Sequence, residues 1–580
     1  MRRNVGFRRT LATVTLAAAT LGMGVVSTYA SAAPKAHATS GGGTATMALD
    51  ETLAGLNVNT SASNEFVLQE IMNLVWPTVY ITTGGLKEIL NTTFVTSVKE
   101  TNNPQRIVYT INPKAVWQDG TPITADDFIY GWQTQSGLAK YTDVGHKAFQ
   151  PAGTTGYNQI ATVVGSKPAN GAACAAGSAK DYNAGLCPNG STVTVTFSKP
   201  FADWQSLFGN IVPAHVGRVV GWNTGFKGAT QTISGSWYEI KSVSDSSVVL
   251  VRNPKFWATP GKLSSIVFQQ FGDDTQEVPA LANSEVQVIN PLTVDLSIVQ
   301  AANQVPGIVA KTVPGLEFEH FDFNQSDPYL AKLAVRQAIA YGTNRKEIIS
   351  HTVGEIDSSI QPLGNRMYMN SQPQYVNNAP QYDTVNVAMA KSLLKGLGFT
   401  MGSDGYFHPN YGPLKGKDLT FVINSTTGNA SRAATEQIFQ ANMKAVGIKI
   451  EIQNFAAGTL FPNIAKGDYQ ITEFAWVATP FVSANESIYC SYNLATCGQN
   501  WTHFTNAAVD KLVFAGAGAS SSAAETQDFN AADKILWAQM DTLPLYQKPQ
   551  FDAWSTSIHN VIPNASSSGI TWNGQVWSRS

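Results

Sequence analysis

A mixed α/β fold is predicted for this chain of 580 residues, on three observations. Short runs alternate apolar and polar residues at period two, the pattern of half-buried strands. Other stretches carry apolar residues at helical spacing between capping residues. The two patterns interleave along a chain long enough to form several lobes, each with its own core.

The chain opens with a targeting segment. Arg2, Arg3, Arg8 and Arg9 form a basic region, residues 11–26 are mostly small and apolar, and Ala30-Ser31-Ala32 is a small-residue cleavage site. This predicts a cleaved signal peptide over 1–32. Residues 33–43 are rich in Ala, Ser and Gly and read as a flexible linker. No cysteine lies near the cleavage site, which predicts a protein without lipid attachment, free in the periplasm or cell envelope. No later apolar run is long enough to span a membrane.

The elements follow in order. Residues 109–132 read as strand, turn, helix. Asp119-Gly120 and Thr121-Pro122 are turn chemistry, Thr124 with Asp127 is a capping pair, and Phe128, Ile129 and Trp132 give one apolar face. Val193, Val195 and Phe197 alternate with threonines as a strand. Residues 248–251 and 266–271 read as further strands, and residues 165–190 and 512–524 as Gly-, Ala- and Ser-rich loops. Asp327-Pro328 predicts a helix start, with Leu330, Ala334 and Ala338 on one stripe. Ser431 predicts the start of a helix that Gly447 ends, before a strand carrying Ile448, Ile450 and Ile452. A last helix sets Phe529, Ala532, Leu536 and Met540 on one face before Pro544.

Composition narrows the function. Charged residues are 13% of the chain and the net charge is −2, becoming −6 once the four leader arginines are removed. Such a surface does not suit nucleic acid, which wants a basic face. The four cysteines form two local pairs, Cys174 with Cys187 and Cys490 with Cys497, and read as two loop-stapling disulfides in an oxidising compartment, other pairings staying open. Their spacings do not fit a metal site. There is no Gly-x-Ser-x-Gly elbow and no His-Glu-x-x-His helix, so no catalytic residue, metal or cofactor is predicted. His503 reads as an ordinary polar contact. The chain holds 13 tryptophans and 19 tyrosines. Most are expected in the core, with a few free to stack on sugar rings.

Residues 109–132 also resemble a signature of the extracellular solute-binding proteins of family 5, the peptide and nickel binders of ABC importers. The resemblance recurs in order across residues 45–560. Residues 189–201 are similar to the family's strand leading to Lys-Pro. Arg252-Asn253-Pro254-Lys255-Phe256-Trp257 resembles its Arg-Asn-Pro-x-aromatic-Trp element. Further matches are Phe323-Asn324, Val335-Arg336-Gln337-Ala338-Ile339, Asn344-Arg345, Gly467-Asp468-Tyr469 with Trp476, Val509-Asp510, and Leu543-Pro544-Leu545-Tyr546. Within these motifs Trp117, Asp119 and Gly120 are expected to build a turn. Arg252 to Pro254 should order a loop, and Arg336 should hold a carboxylate or a helix end.

The resemblance implies a type II periplasmic-binding-protein fold, with two large lobes around a cleft and a third smaller one. Lobe I would comprise 44–75, 200–312 and 545–580, lobe II 76–199, and lobe III 313–544. Hinge crossings would fall near Val313-Pro314-Gly315 and Leu543-Pro544. It further implies a monomer that captures an oligopeptide-like or other small-molecule ligand and passes it to an ABC permease. An oligosaccharide, a metal chelate, a regulatory role and, last, a secreted hydrolase are the alternatives. Ligand contacts are expected from Ser63, Asn64 and Glu65, and from Trp476, Val477, Ala478, Thr479 and Phe481. Ser63 and Asn64 read equally well as caps of the helix that follows. In the peptide-binding members an aspartate three residues after the tryptophan captures the peptide's ammonium. Thr479 stands there in this chain, and Glu473 or Glu486 is the nearby candidate to compensate.

Overall fold

The computed structural model describes residues 42–580, except 50–52, 61–62, 64, 145–146, 148, 150–153, 169–172, 174–186, 272–273, 292–293, 295, 478 and 495–496. The predicted signal peptide and most of the linker, Asn64, Cys174 and Ala478 therefore lie outside the described residues.

Two sheets dominate. A ten-stranded mixed sheet runs in the order Lys449–Ile452, Thr420–Asn424, Ile471–Val477, Ile308–Phe323, Thr542–Ser555, Val288–Ile289, Thr44–Leu49, Ser265–Gln270, Ser247–Arg252, Tyr238–Ser244. A four-stranded antiparallel sheet has the order Val95–Thr101, Arg106–Ile111, Gly190–Phe197, Ile160–Pro168. In the strand Gly190–Phe197, Val193, Val195 and Phe197 are buried and the threonines between them are half-buried, the period-two pattern of the sequence.

At the centre of the large sheet the long strands Ile308–Phe323 and Thr542–Ser555 pair antiparallel. Pro314 lies opposite Pro549, and the register shifts between Pro314 and Phe318. Neither proline has an N–H to give the ladder, so the pairing loosens there. One apolar core packs residues of 45–270 with Trp554, Ile570 and Trp577. A second gathers Phe321, Phe323, Val335, Phe421, Phe439 and Leu543 on the far side of the prolines.

The motif of residues 109–132 is architectural. Thr124 and Asp127 form a capping box on the helix Ala125–Gln135. Asp119 Oδ1 accepts from the Thr121 N–H at 2.8 Å, and Gly120 takes φ +91°, open to glycine without strain. Arg252 Nε donates to the carbonyls of Gly261 and Leu263, ordering their loop. Arg336 donates to the carbonyls of Leu330, Gln539 and Met540, closing the end of the helix Ser522–Gln539.

Three sequence expectations shift. The helix placed at Asp327-Pro328 begins at Leu333, because Asp327 Oδ1 instead accepts from the N–H groups of Tyr329 and Leu330 and closes a turn. The helix assigned to Ser431 is capped by Asn429, which accepts from the Arg432 N–H at 2.9 Å. Much of the supposed loop 512–524 is helical, within Ala507–Ala517 and Ser522–Gln539. Alanine there is a helix former rather than a loop filler.

Candidate ligand-binding site

A cleft with a cavity of about 420 Å³ is lined by several separate parts of the chain, which form three main walls. The first is the helix Phe66–Met72 with its flanks, together with the segment 566–572. Gln69 Nε2 donates to Asn73 Oδ1 at 2.8 Å, and Asn73 Nδ2 donates to the Ser568 carbonyl at 2.6 Å. The two amides are four residues apart and so share one face of the helix end. The second wall is the hairpin of Tyr80–Thr82 and Glu88–Leu90, with Gln135 and Tyr157 beside it. Gly84 and Gly85 lie in its turn, and its register sets Thr82 opposite Glu88. The third wall is the loop after the strand Ile471–Val477, which contributes Thr479, Pro480, Phe481 and Ser483.

The lining is polar yet almost uncharged. Asn, Gln, Ser and Thr side chains alternate with the rings of Tyr80, Tyr157, Trp237, Phe481 and Trp572. Among the described lining residues Glu88 is the only carboxylate, and none is Lys, Arg or His. Burial raises the pKa of Glu88, the hydroxyl of Thr82 opposes the rise, and the charge of Asp203 adds to it. Asp203 lies buried behind the cleft and accepts from the Ser483 N–H at 2.9 Å. It also hydrogen-bonds Glu525. Burial, and then Asp203 beside it, push Glu525 up to about 9.

Of the residues expected to meet ligand, Thr479 and Phe481 line this cavity. The Thr479 hydroxyl is tied into its own turn, accepting from the Phe481 N–H at 3.2 Å and donating to the Phe481 carbonyl. Trp476 stands apart from the lining and stacks on Trp501 with ring centroids 5.0 Å apart. Val477 is exposed at the strand end, also outside the lining. Ser63 is buried, its N–H on the Thr60 carbonyl. Glu65 sits at the start of the helix Phe66–Met72 without capping it, and accepts from the Ala54 N–H at 3.3 Å.

Neither glutamate proposed to stand in for the missing aspartate lines the cavity. Glu473 is buried against the helix Ala430–Val446, where burial first and then Glu319 raise its pKa well above normal. Glu486 is half-buried at the head of the helix Glu486–Tyr489. Sequence reading missed Gln69, Asn73, Tyr80, Glu88, Gln135 and Trp237. Only the i, i+4 amide pair Gln69 and Asn73 offered a local signal; the others meet through tertiary packing.

Cys490 and Cys497 are bonded, stapling the loop beside the third wall. Cys187 is buried, and its expected partner Cys174 falls outside the described residues. His503 Nδ1 lies 3.1 Å from Asn324 Oδ1, a plain polar contact. Asp404, His408 and Asp418 converge within 4.8 Å beside the hairpin of Thr400–Met401 and Phe407–His408, where the imidazole already pairs with both carboxylates. Among the described residues no helix is long and apolar enough to cross a membrane.

The sequence over residues 92–495 matches the family described as bacterial extracellular solute-binding proteins, family 5 Middle. The chain belongs to this family. Its members bind peptides or other small solutes and work with an ABC permease, and their place is periplasmic or extracellular. The oligopeptide-binding protein OppA of Mycobacterium tuberculosis (strain H37Rv) is 27% identical over 542 residues, covering 91% of this chain and 83% of that protein. Among solved structures, the periplasmic EDTA-binding protein EppA superposes with a TM-score of 0.79 at 22% identity, over 94% of this chain and 98% of that one. The oligopeptide-binding protein AppA of Bacillus subtilis, solved with a nonapeptide, gives 0.69 at 17% identity, over 93% and 99%. The family 5 chain is thus a substrate-binding protein with the fold of these structures, in a family of binders rather than enzymes.

Proposed function

We propose that this family 5 protein captures an oligopeptide-like solute in the interlobe cleft and delivers it to an ABC permease. The observation that carries this reading is the lining: amide and hydroxyl groups from several parts of the chain converge on about 420 Å³ with almost no charge. An extended peptide brings one donor and one acceptor per residue, and such a lining can satisfy them whatever the side chains. Likeness to the M. tuberculosis OppA supports the same class.

The lobes of the reading are 44–75 with 200–312 and 545–580, then 76–199, then 313–544. Closure turns on the two crossings near Val313-Pro314-Gly315 and Leu543-Pro544, both in the paired central strands. The mature protein starts after residue 32, carries no lipid and acts as a monomer. Thr479 and Phe481 contact the ligand, and a Cys174–Cys187 disulfide braces the second lobe. A second reading, a neutral oligosaccharide, is favoured by the rings of Trp237 and Trp572 among amides. An anionic metal chelate fits less well, since no cationic side chain lines the described cleft.

Isothermal titration against peptides of graded length and against neutral oligosaccharides tests the reading. Binding of peptides of several sequences, abolished by Asn73→Ala together with Gln69→Ala, supports it. Binding of the sugars alone replaces it with the second reading.

A further inference from the structure

We propose that Glu88 is the counter-charge for a cationic group of the ligand, an ammonium, and so takes the part that the family's aspartate plays elsewhere. The proposal deepens the peptide reading and rests on the cleft being the ligand site. It starts from geometry. Glu88 lines the cavity from the hairpin wall, across the sheet ladder from Thr82. The Thr82 hydroxyl donates to Glu88 Oε1 at 2.6 Å, which fixes the carboxylate's direction. Among the described residues no hydrogen bond reaches Oε2 and no Lys, Arg or His pairs with the side chain.

A half-buried carboxylate without a cationic partner is costly, because water is partly stripped from it and nothing returns the lost solvation. Asp203 behind the wall makes the potential more negative still. Both costs vanish when a cation enters. The opposite wall offers no rival: Thr479 spends its hydroxyl on its own turn, and Glu473 and Glu486 do not line the cavity. Among the described lining residues an ammonium brought by the ligand therefore has one carboxylate to meet, reached from the hairpin rather than from the loop after Trp476.

Peptides carry an ammonium at the N-terminus or on a lysine side chain, and both present the same chemistry. The test uses the mature protein, wild type and Glu88→Gln, titrated with pentaalanine, N-acetyl-pentaalanine and an N-acetylated pentaalanine with a central lysine. The glutamine keeps an acceptor for Thr82, and its thermal unfolding is compared with wild type to confirm folding. A fourth and fifth probe, chitotetraose with free amines and its fully N-acetylated form, pose the same question to a sugar ligand.

The expected result is that wild type binds a charged member at least about tenfold more tightly than its acetylated partner. Glu88→Gln should erase that preference, lowering the charged member's affinity to that of its acetylated partner. Preference for free pentaalanine assigns the N-terminus, and preference for the lysine peptide assigns the side chain. If only the sugars bind and the amine preference depends on Glu88, the peptide reading falls and Glu88 keeps its role. Peptides bound without charge preference, or a preference that survives Glu88→Gln, overturn the Glu88 proposal and leave peptide capture standing. Failure of every probe overturns both.

Discussion

Asp127 holds two parts of the molecule with one carboxylate. Oδ2 accepts from the Thr124 N–H and Oδ1 from the Ala214 N–H, each at 2.9 Å. Its first task was legible, because Thr124 and Asp127 have the spacing of a capping box. Its second was not, since Ala214 lies far along the chain and nothing local marks it. Asp127→Ala leaves a buried and a half-buried N–H group without acceptors and should destabilise by about 2–4 kcal/mol. Urea unfolding measures the loss, and ligand affinity per folded molecule should be unchanged, because Asp127 does not line the cavity. Glu88 shows the same limit from the other side. A glutamate after Leu86-Lys87 in a turn reads as solvent-facing, and only the fold turns it onto the cleft.

At the scale of elements, start and stop residues were readable when the chain used one signal in one way. Gly447 ends its helix at φ +95°, as a glycine after a periodic run predicts. Asp327-Pro328 misled because an aspartate closes a turn as readily as it caps a helix. The helix Ser522–Gln539 ends on a device no local pattern reveals: Met540 turns left-handed while Arg336 covers the free carbonyls. Arg336→Lys should not substitute, since one ammonium lacks the planar fork that reaches Leu330, Gln539 and Met540 together. A fall in unfolding free energy of about 2–4 kcal/mol is expected by urea titration, and a loss indistinguishable from zero would deny the cap. The short disulfide loop is a second element-scale test. Replacing Cys490 and Cys497 by serine should cost about 2–3 kcal/mol, from the chain entropy a loop of that length restores to the unfolded state.

The whole molecule depends on contacts that join distant segments at the cleft. Asp203 bonds the Ser483 N–H and shares a hydrogen bond with Glu525, so the segment after the four-stranded sheet meets both the third-wall loop and the helix Ser522–Gln539 behind it. Glu525 titrates near 9 in the folded state against an ordinary value of 4.5. The folded chain thus holds a proton that the unfolded chain releases between those values. Stability should fall as pH rises across that window and level off above it. Glu525→Gln should flatten the slope, read as melting temperature against pH. The α/β class and the order of the motifs were legible over most of the chain, because period and capping are local. The cleft was legible only at Thr479 and Phe481, because its other walls are assembled by the sheet and not by sequence neighbours.

Solute capture in the near-neutral cleft is the central claim, and the ligand the protein carries tests it most directly. The mature protein would be purified gently from its own host, weighed by native mass spectrometry, and denatured to release and identify what it holds. Peptides of mixed sequence and narrow length are predicted. A uniform anionic chelate or a single oligosaccharide would contradict the account.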